Sequence, residues 1–354
     1  MFWAKYPDAD KEIYGNLLKR LSELQITPDV GQGIVAEQKR RIAALKLPDL
    51  GFKVAQGFAQ TEDLEKYYAD NFGKDDHTAQ ALPLNEINLD LEELIAHTYA
   101  ETGLRWRLNC LNRAIGSLRP GDFGFIFARP ETGKTTFLAS EVSGFLRGCQ
   151  VPIVWFNNEE QGDKVGIRLL QAYFGVTLEV LRSNPRRFKE QFLAETQGRL
   201  RLFDAALIDR RDVERIVRQV SPGLVIYDQI DKIRGFANDR EDLRLGAIYQ
   251  WARELAKGSH ASIGVSQADG TAEGVRYLTM EHVANAKTAV QAEADWILGI
   301  GKTHSDGFEN VRFLNISKNK LLGDADSIPE LKHGRFDTLI EPTIARYKDI
   351  IKYE

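Results

Sequence analysis

FGFIFARPETGKTTFLASEV, residues 123–142, decides the fold. FGFIFA (123–128) is a short apolar run, RPETG (129–133) is a polar turn, and the residues after it take helical spacing. This is a strand, a loop and a helix in succession. ARPETGKTT (128–136) matches the pattern GxxxxGK[ST] except that Ala128 holds the first position. Gly133 permits a turn that aims successive backbone N–H groups at phosphate. Lys134 is expected to reach the β- and γ-phosphates of ATP, and Thr135 to place its hydroxyl on Mg²⁺. Arg129, Pro130, Glu131, Thr132 and Thr136 complete the candidate nucleotide-binding loop. The helix expected over 136–146 would turn its positive end to the anion. A bare GKT also occurs in ordinary turns; the strand before it and the helix after it favour the phosphate reading.

Outward from this stretch the same texture continues. PIVWF (152–156), GLVIYD (223–228), ASIGVS (261–266), DWILGI (295–300) and VRFLNIS (311–317) are further apolar runs separated by amphipathic stretches. The spacing predicts an α/β fold with a mainly parallel sheet covered on both faces. The closely spaced last runs suit antiparallel additions, with a terminal hairpin strand over 334–341.

The first hundred residues differ. Helical spacing is visible over 12–25, over 35–46 with a stop at Pro48, over 62–72 and over 89–99, with a loop over 71–83. The expected division is a small helical region (1–83), a linker or docking helix (84–101), an ATPase motor (102–345) and a tail (346–354).

Composition narrows the function classes. The net charge of -4 is too small to name a partner, but residues 51–100 carry 3 basic against 10 acidic side chains. That excludes a chain basic throughout and leaves room for a local basic channel. Cys110 and Cys149 are too few and too far apart for a zinc module. No apolar run approaches a membrane span, and the start MFWAKYPDADKE lacks a secretory apolar core. A soluble, cytoplasmic protein with no membrane partner is expected.

Three more strand ends carry candidate chemistry. WFNNEE (155–160) offers Glu159 or Glu160 to orient and deprotonate an attacking water, though either could be a helix-start acid. LVIYD ends in Asp228, suited to a Mg²⁺ ligand, with Asp231 a weaker rival. IGVSQ ends in Ser266 and Gln267, where an amide could sense the γ-phosphate.

These motifs together, with TG at 102–103 and LNRAIGSLRPGDF at 111–123, resemble the hexameric, DnaB-like replicative helicases of bacteria and phages. The resemblance covers roughly 102–341. It implies a RecA-like P-loop motor and moves the catalytic role to Glu159, with Arg168 as the family's downstream arginine. It assigns the acidic strand end to Asp228 and the Ser-Gln switch to Ser266 and Gln267. The family's Lys-x-Arg, acting on a neighbour's ATP, falls on Lys318 and Lys320; Lys320 brings a point charge in place of a planar fork. The family's DNA loop falls on ANAKT (284–288), which lacks the usual arginine.

The resemblance further implies a ring, expected as a hexamer of phage type, that moves on single-stranded DNA and unwinds a replication fork. A primase, loader or polymerase is a possible partner. Candidate DNA loops over 235–246 and 268–288 contain Arg240, Arg244, Arg276 and Lys287; each taken alone is more often a solvated surface charge, and Lys287 is the strongest because it lies in the stretch matching the family's DNA loop. Two other readings share the nucleotide residues: a filament-forming recombination or repair ATPase, and an ATP-binding loader or scaffold without turnover.

Overall fold

The structure is a computed structural model, and it describes residues 28–71, 91–92, 103–206, 208–236, 240–257, 259–284 and 287–350. The chain divides into two compact units, residues 1–89 and 90–354. The helix expected over 12–25 and most of that over 89–99 lie outside the described residues.

In the first unit a helix spans Pro28–Ala55 and a second Thr61–Asn71. The expected stop at Pro48 does not occur; the proline lies inside the first helix. Proline there removes one helical hydrogen bond and costs about 3 kcal/mol. Tertiary packing overrides that local preference: the second helix lies against the first, with the Tyr67 hydroxyl donating to Ala43 O at 3.3 Å.

The second unit is built on a nine-stranded sheet in the order β3-β2-β4-β5-β1-β6-β7-β8-β9. The strands are β1 Phe123–Ala128, β2 Ile153–Asn157, β3 Leu200–Asp204, β4 Leu224–Asp228 and β5 Ala261–Gln267, followed by β6 Trp296–Gly301, β7 Val311–Asn319, β8 Arg335–Glu341 and β9 Arg346–Asp349. β1 to β6 pair in parallel, and β7, β8 and β9 add antiparallel strands at one side. This is the expected mixed α/β architecture, with a largely parallel central sheet.

Strand periodicity sends alternate side chains to opposite faces. Phe123, Phe125 and Phe127 enter one core with Tyr227, Ile248 and Tyr249. Ile126 and Ala128 enter the other with Phe137, Trp155 and Trp296. The helices Lys134–Gly148 and Gly162–Phe174 cover this second face, and Arg210–Val220 and Glu241–Lys257 cover the first. Burial on both faces is why the central strands are continuous apolar runs.

Two strands were not foreseen. β3 is an edge strand, only partly buried and interrupted by Arg201, so it shows no apolar run. β9 falls where a tail was expected, because only Tyr347 of its residues is buried. Cys110 is buried, whereas Cys149 is only partly so, and both are free thiols. No described helix is long and apolar enough to cross a membrane.

Candidate nucleotide site

Parallel strands bring their carboxyl ends to one edge of a sheet, and ligands of such folds bind beyond that edge. Ala128 is in register with Gln267, and Asn157 with Asp228. The loops after β1, β2, β4 and β5 therefore share one edge.

Ala128 is the last residue of β1, where extended backbone accepts a Cβ, so the missing glycine costs nothing. Gly133 is different. Its φ is +107°, and a Cβ there would lie 2.9 Å from the Tyr347 hydroxyl. Both the conformation and the close approach require glycine. Glu131 also takes a left-handed φ of 59°. The helix Lys134–Gly148 follows directly, with Gly133 as its N-cap.

A cavity of about 410 Å³ opens in front of this loop, lined by Glu131, Gly133, Lys134, Thr135, Thr136, Glu159, Glu160 and Arg168. Lys134 is 6% exposed, and its ammonium folds back to donate to Ala128 O at 3.4 Å and Arg129 O at 3.5 Å. Burial lowers its pKa, and the charges of Glu159 and Asp228 oppose that shift.

The two glutamates are distinguished by their partners. Glu160 forms a two-pronged pair with Arg168, at 2.6 Å and 3.2 Å. Glu159 is exposed and makes no hydrogen bond or ion pair among the described residues. The carboxylate free to meet a water is thus Glu159, and Arg168 holds its neighbour aside.

Asp228, at the carboxyl end of β4, is wholly buried, and neither of its carboxylate oxygens has a hydrogen-bond partner. Burial raises its pKa to about 7; Glu159 adds to the rise and Lys134 opposes it. Two unpartnered buried oxygens on Asp228 and the Thr135 hydroxyl on the cavity wall are oxygen donors of the kind a hard cation such as Mg²⁺ takes. Asp231 is otherwise engaged: its carboxylate accepts from Ser266 Oγ at 2.7 Å and from the Tyr249 hydroxyl at 3.1 Å.

Gln267 stands at the base of the following loop, where its carbonyl accepts from Ala284 N. Arg129 ties this loop to the phosphate loop, donating to Ala268 O and pairing with Glu273 at 3.1 Å. His304 meets the other oxygen of Glu273 at 2.8 Å. Neither Glu273 nor His304 was foreseen, since each is one polar residue in a loop with no motif around it. Pro130 and Thr132 line a smaller recess beside Arg129.

The remaining candidates do not gather at this cavity. Asn319 pairs with Trp296 at the amino end of β6, so Lys318 and Lys320 lie at the opposite edge of the sheet. Lys318 donates to Gln291 O and Ala292 O at the end of the helix Lys287–Glu293. Burial first, then Lys320, brings its pKa down to about 8. Lys320 lies beyond β7 and not within it.

The basic side chains also find local partners. Arg240 pairs with Asp242 at 2.7 Å, and Arg244 donates to Asp231 O at 3.2 Å. Residues 241–246, expected as loop, belong to the helix Glu241–Lys257, whose first turn carries Glu241 and Asp242 at its positive end. Arg276 lies over the rings of Phe308 (4.7 Å) and Phe313 (5.3 Å). Lys287 opens the helix Lys287–Glu293, and its side chain lies outside the described residues.

Similarity to known proteins points the same way. Residues 92–266 match the AAA domain family. Replicative DNA helicase DnaB of Buchnera aphidicola subsp. Baizongia pistaciae (strain Bp) is 30% identical over 115 residues, which is 32% of this chain. The match spans a quarter of that protein's length (25%). Among solved structures, an ATPase domain superposes with a TM-score of 0.60 at 16% identity, over 74% of this chain and 96% of that one. A DnaB-like replicative helicase, described with its interactions with primase, gives 0.61 at 15% identity, over 96% of this chain and 84% of that one. At these identities the solved structures speak for the fold.

Proposed function

We propose that this chain, a RecA-like AAA ATPase related to the DnaB-family helicases, hydrolyses ATP with Mg²⁺ and uses the turnover to move along single-stranded DNA and open a duplex. The observation that carries the reading is a buried Lys134 and an unpaired Glu159 lining one cavity, with the unpartnered carboxylate of Asp228 buried at the end of β4. The loop N–H groups and Lys134 hold the phosphates. Thr135 and Asp228 would hold Mg²⁺, which neutralises charge on the phosphates when bound. Glu159 takes the proton of the attacking water. Gln267 senses the γ-phosphate and passes its loss to the loop over 268–288.

Lys318 and Lys320 act on the site of a neighbouring copy, because within one chain they lie across the sheet from the phosphate loop. A ring of six such copies is the proposed assembly. Lys287, with Arg276, Arg240 and Arg244, would line the DNA path and contact phosphates more than bases. The helical unit before the motor, and a primase, loader or polymerase bound to it, complete the proposal.

The test is ATP hydrolysis with and without single-stranded DNA, followed by strand separation on forks with either arm labelled. DNA-stimulated hydrolysis and ATP-dependent separation are expected, both abolished by Lys134→Ala. Filaments that pair strands would replace the helicase with a recombinase. Nucleotide binding without hydrolysis would leave a loader or scaffold.

A further inference from the structure

Two side chains grip the phosphate loop from behind, and neither has a role in the proposed hydrolysis. Arg312, on β7, is 6% exposed. Its Nε donates to Thr132 O at 2.6 Å, and its Nη1 donates to Glu309 O at 2.9 Å and Val311 O at 2.8 Å. Tyr347, on β9, is 1% exposed and donates its hydroxyl to Gly133 O at 3.2 Å. The Tyr347 N–H donates to Ser140 Oγ on the helix after the loop, and its ring meets Phe137 edge-on at 5.3 Å.

The two gripped carbonyls are consecutive. In a trans peptide the C=O and N–H point in opposite directions. Thr132 O shares its peptide with the Gly133 N–H, and Gly133 O shares its own with the Lys134 N–H. Gly133 O also accepts the first helical bond, from Phe137 N at 2.9 Å; Tyr347 adds a second donor there and Arg312 extends the same hold one peptide back, turning both N–H groups to the side where a phosphate would lie. Peptide planarity thus carries the orientation from the rear of the loop to its front.

Arg312 also brings charge. All its hydrogen-bond partners are carbonyls, and among the described residues it forms no ion pair with a carboxylate. A guanidinium stays charged in proteins. Burying one without a counter-anion is costly, and an anion arriving in front of the loop relieves that cost.

We infer that Arg312 and Tyr347 brace the phosphate loop from behind, and that Arg312 is a positioning residue whose buried positive charge selects nucleotides by their number of phosphates. This rests on the nucleotide reading of the cavity and extends it to the order of preference: nucleoside triphosphate over diphosphate. The brace comes from two of the three antiparallel strands, β7 and β9, which the phosphate-loop pattern itself does not include.

The experiment is a fluorescent-nucleotide competition on the full chain, without DNA, giving dissociation constants for MgATP and MgADP. Wild type is compared with Arg312→Met, Arg312→Lys and Tyr347→Phe, and the nucleotide-free melting temperature is taken for each. Arg312→Met is expected to weaken ATP about tenfold and ADP clearly less, so that the preference for ATP shrinks. Arg312→Lys keeps the charge and should restore most of the preference while losing some affinity for both. Tyr347→Phe should weaken both nucleotides a few-fold and leave their ratio unchanged. Equal losses for ATP and ADP in Arg312→Met, or equal effects of the Lys and Met variants, would overturn the charge role. If Arg312→Met does not fold, the ratio in Arg312→Lys against Tyr347→Phe decides instead: equal ratios in the two refute it. Failure of the wild type to bind either nucleotide would remove the nucleotide reading itself, a result separable from any change among the variants.

Discussion

Replacing Glu141 by glutamine should make the protein less sensitive to alkali. Glu141 lies in the helix that follows the phosphate loop and is 1% exposed. Its Oε2 accepts from the backbone N–H groups of Arg107 (2.6 Å) and Leu108 (3.3 Å), while Oε1 is buried without a partner. Burial raises its pKa from 4.5 to about 8, with the two backbone donors opposing the rise. A carboxyl that titrates higher when folded than when unfolded favours folding at low pH. That contribution is complete below about 4.5 and is lost as pH rises to about 8. Each unit of pH in this window is worth about 1.4 kcal/mol, so the full span is worth about 4 to 5 kcal/mol. Glu141→Gln removes the titration and keeps an oxygen for both N–H groups. Urea unfolding followed by the fluorescence of the buried Trp106, Trp155 and Trp296 supplies the assay. The stability of the variant minus that of wild type should climb by about 3 kcal/mol or more between pH 5 and 8 and then level off. Two curves that stay parallel across that range would refute a buried, neutral Glu141.

Glu159→Gln should keep nucleotide binding and lose about 10²-fold or more in hydrolysis, whereas Glu160→Gln should mainly release Arg168 from its pair; single-turnover assays on both variants decide which acid is the base. Lys287→Ala should weaken single-stranded DNA equally across sequences and reduce the log–log salt slope by about 0.7, and an unchanged slope in a salt titration on two unrelated strands would pass the role to Arg276. Lys320→Ala should slow hydrolysis more than it weakens ATP binding. Mixing it with Lys134→Ala should restore part of the activity; mixtures that never exceed the sum of their parts would show that Lys320 does not act on a neighbouring copy.

The legible part of the sequence was the part whose burial is uniform. Strands covered on both faces, such as FGFIFA and LVIYD, announce themselves as apolar runs, and their polar ends mark the edge where chemistry gathers. Edge strands give no such signal: Leu200–Asp204 and Arg346–Asp349 are paired on one side only and carry charges. The phosphate loop was legible because backbone geometry demands glycine at 133. Glu159 and Glu160 could not be separated by spacing, since the distinction is a long-range contact from Arg168, 8 residues on from Glu160. Arg312 did leave a trace: a charge within the apolar stretch VRFLNIS, on a strand largely buried. A charge there must have a purpose or a partner. Pro48 misled because one lost hydrogen bond does not end a helix that has a neighbour to lie on.

The distance along the chain between Gly133 and Tyr347 sets an order of events at the ribosome. The two are 214 residues apart. At roughly 5–20 residues per second, translation supplies Tyr347 about ten to forty seconds after the loop it supports. Until Arg312 and then Tyr347 have been made, the nascent phosphate loop lacks its two rear contacts. On the proposed nucleotide reading, the last increments of affinity would come late, when the final strands dock.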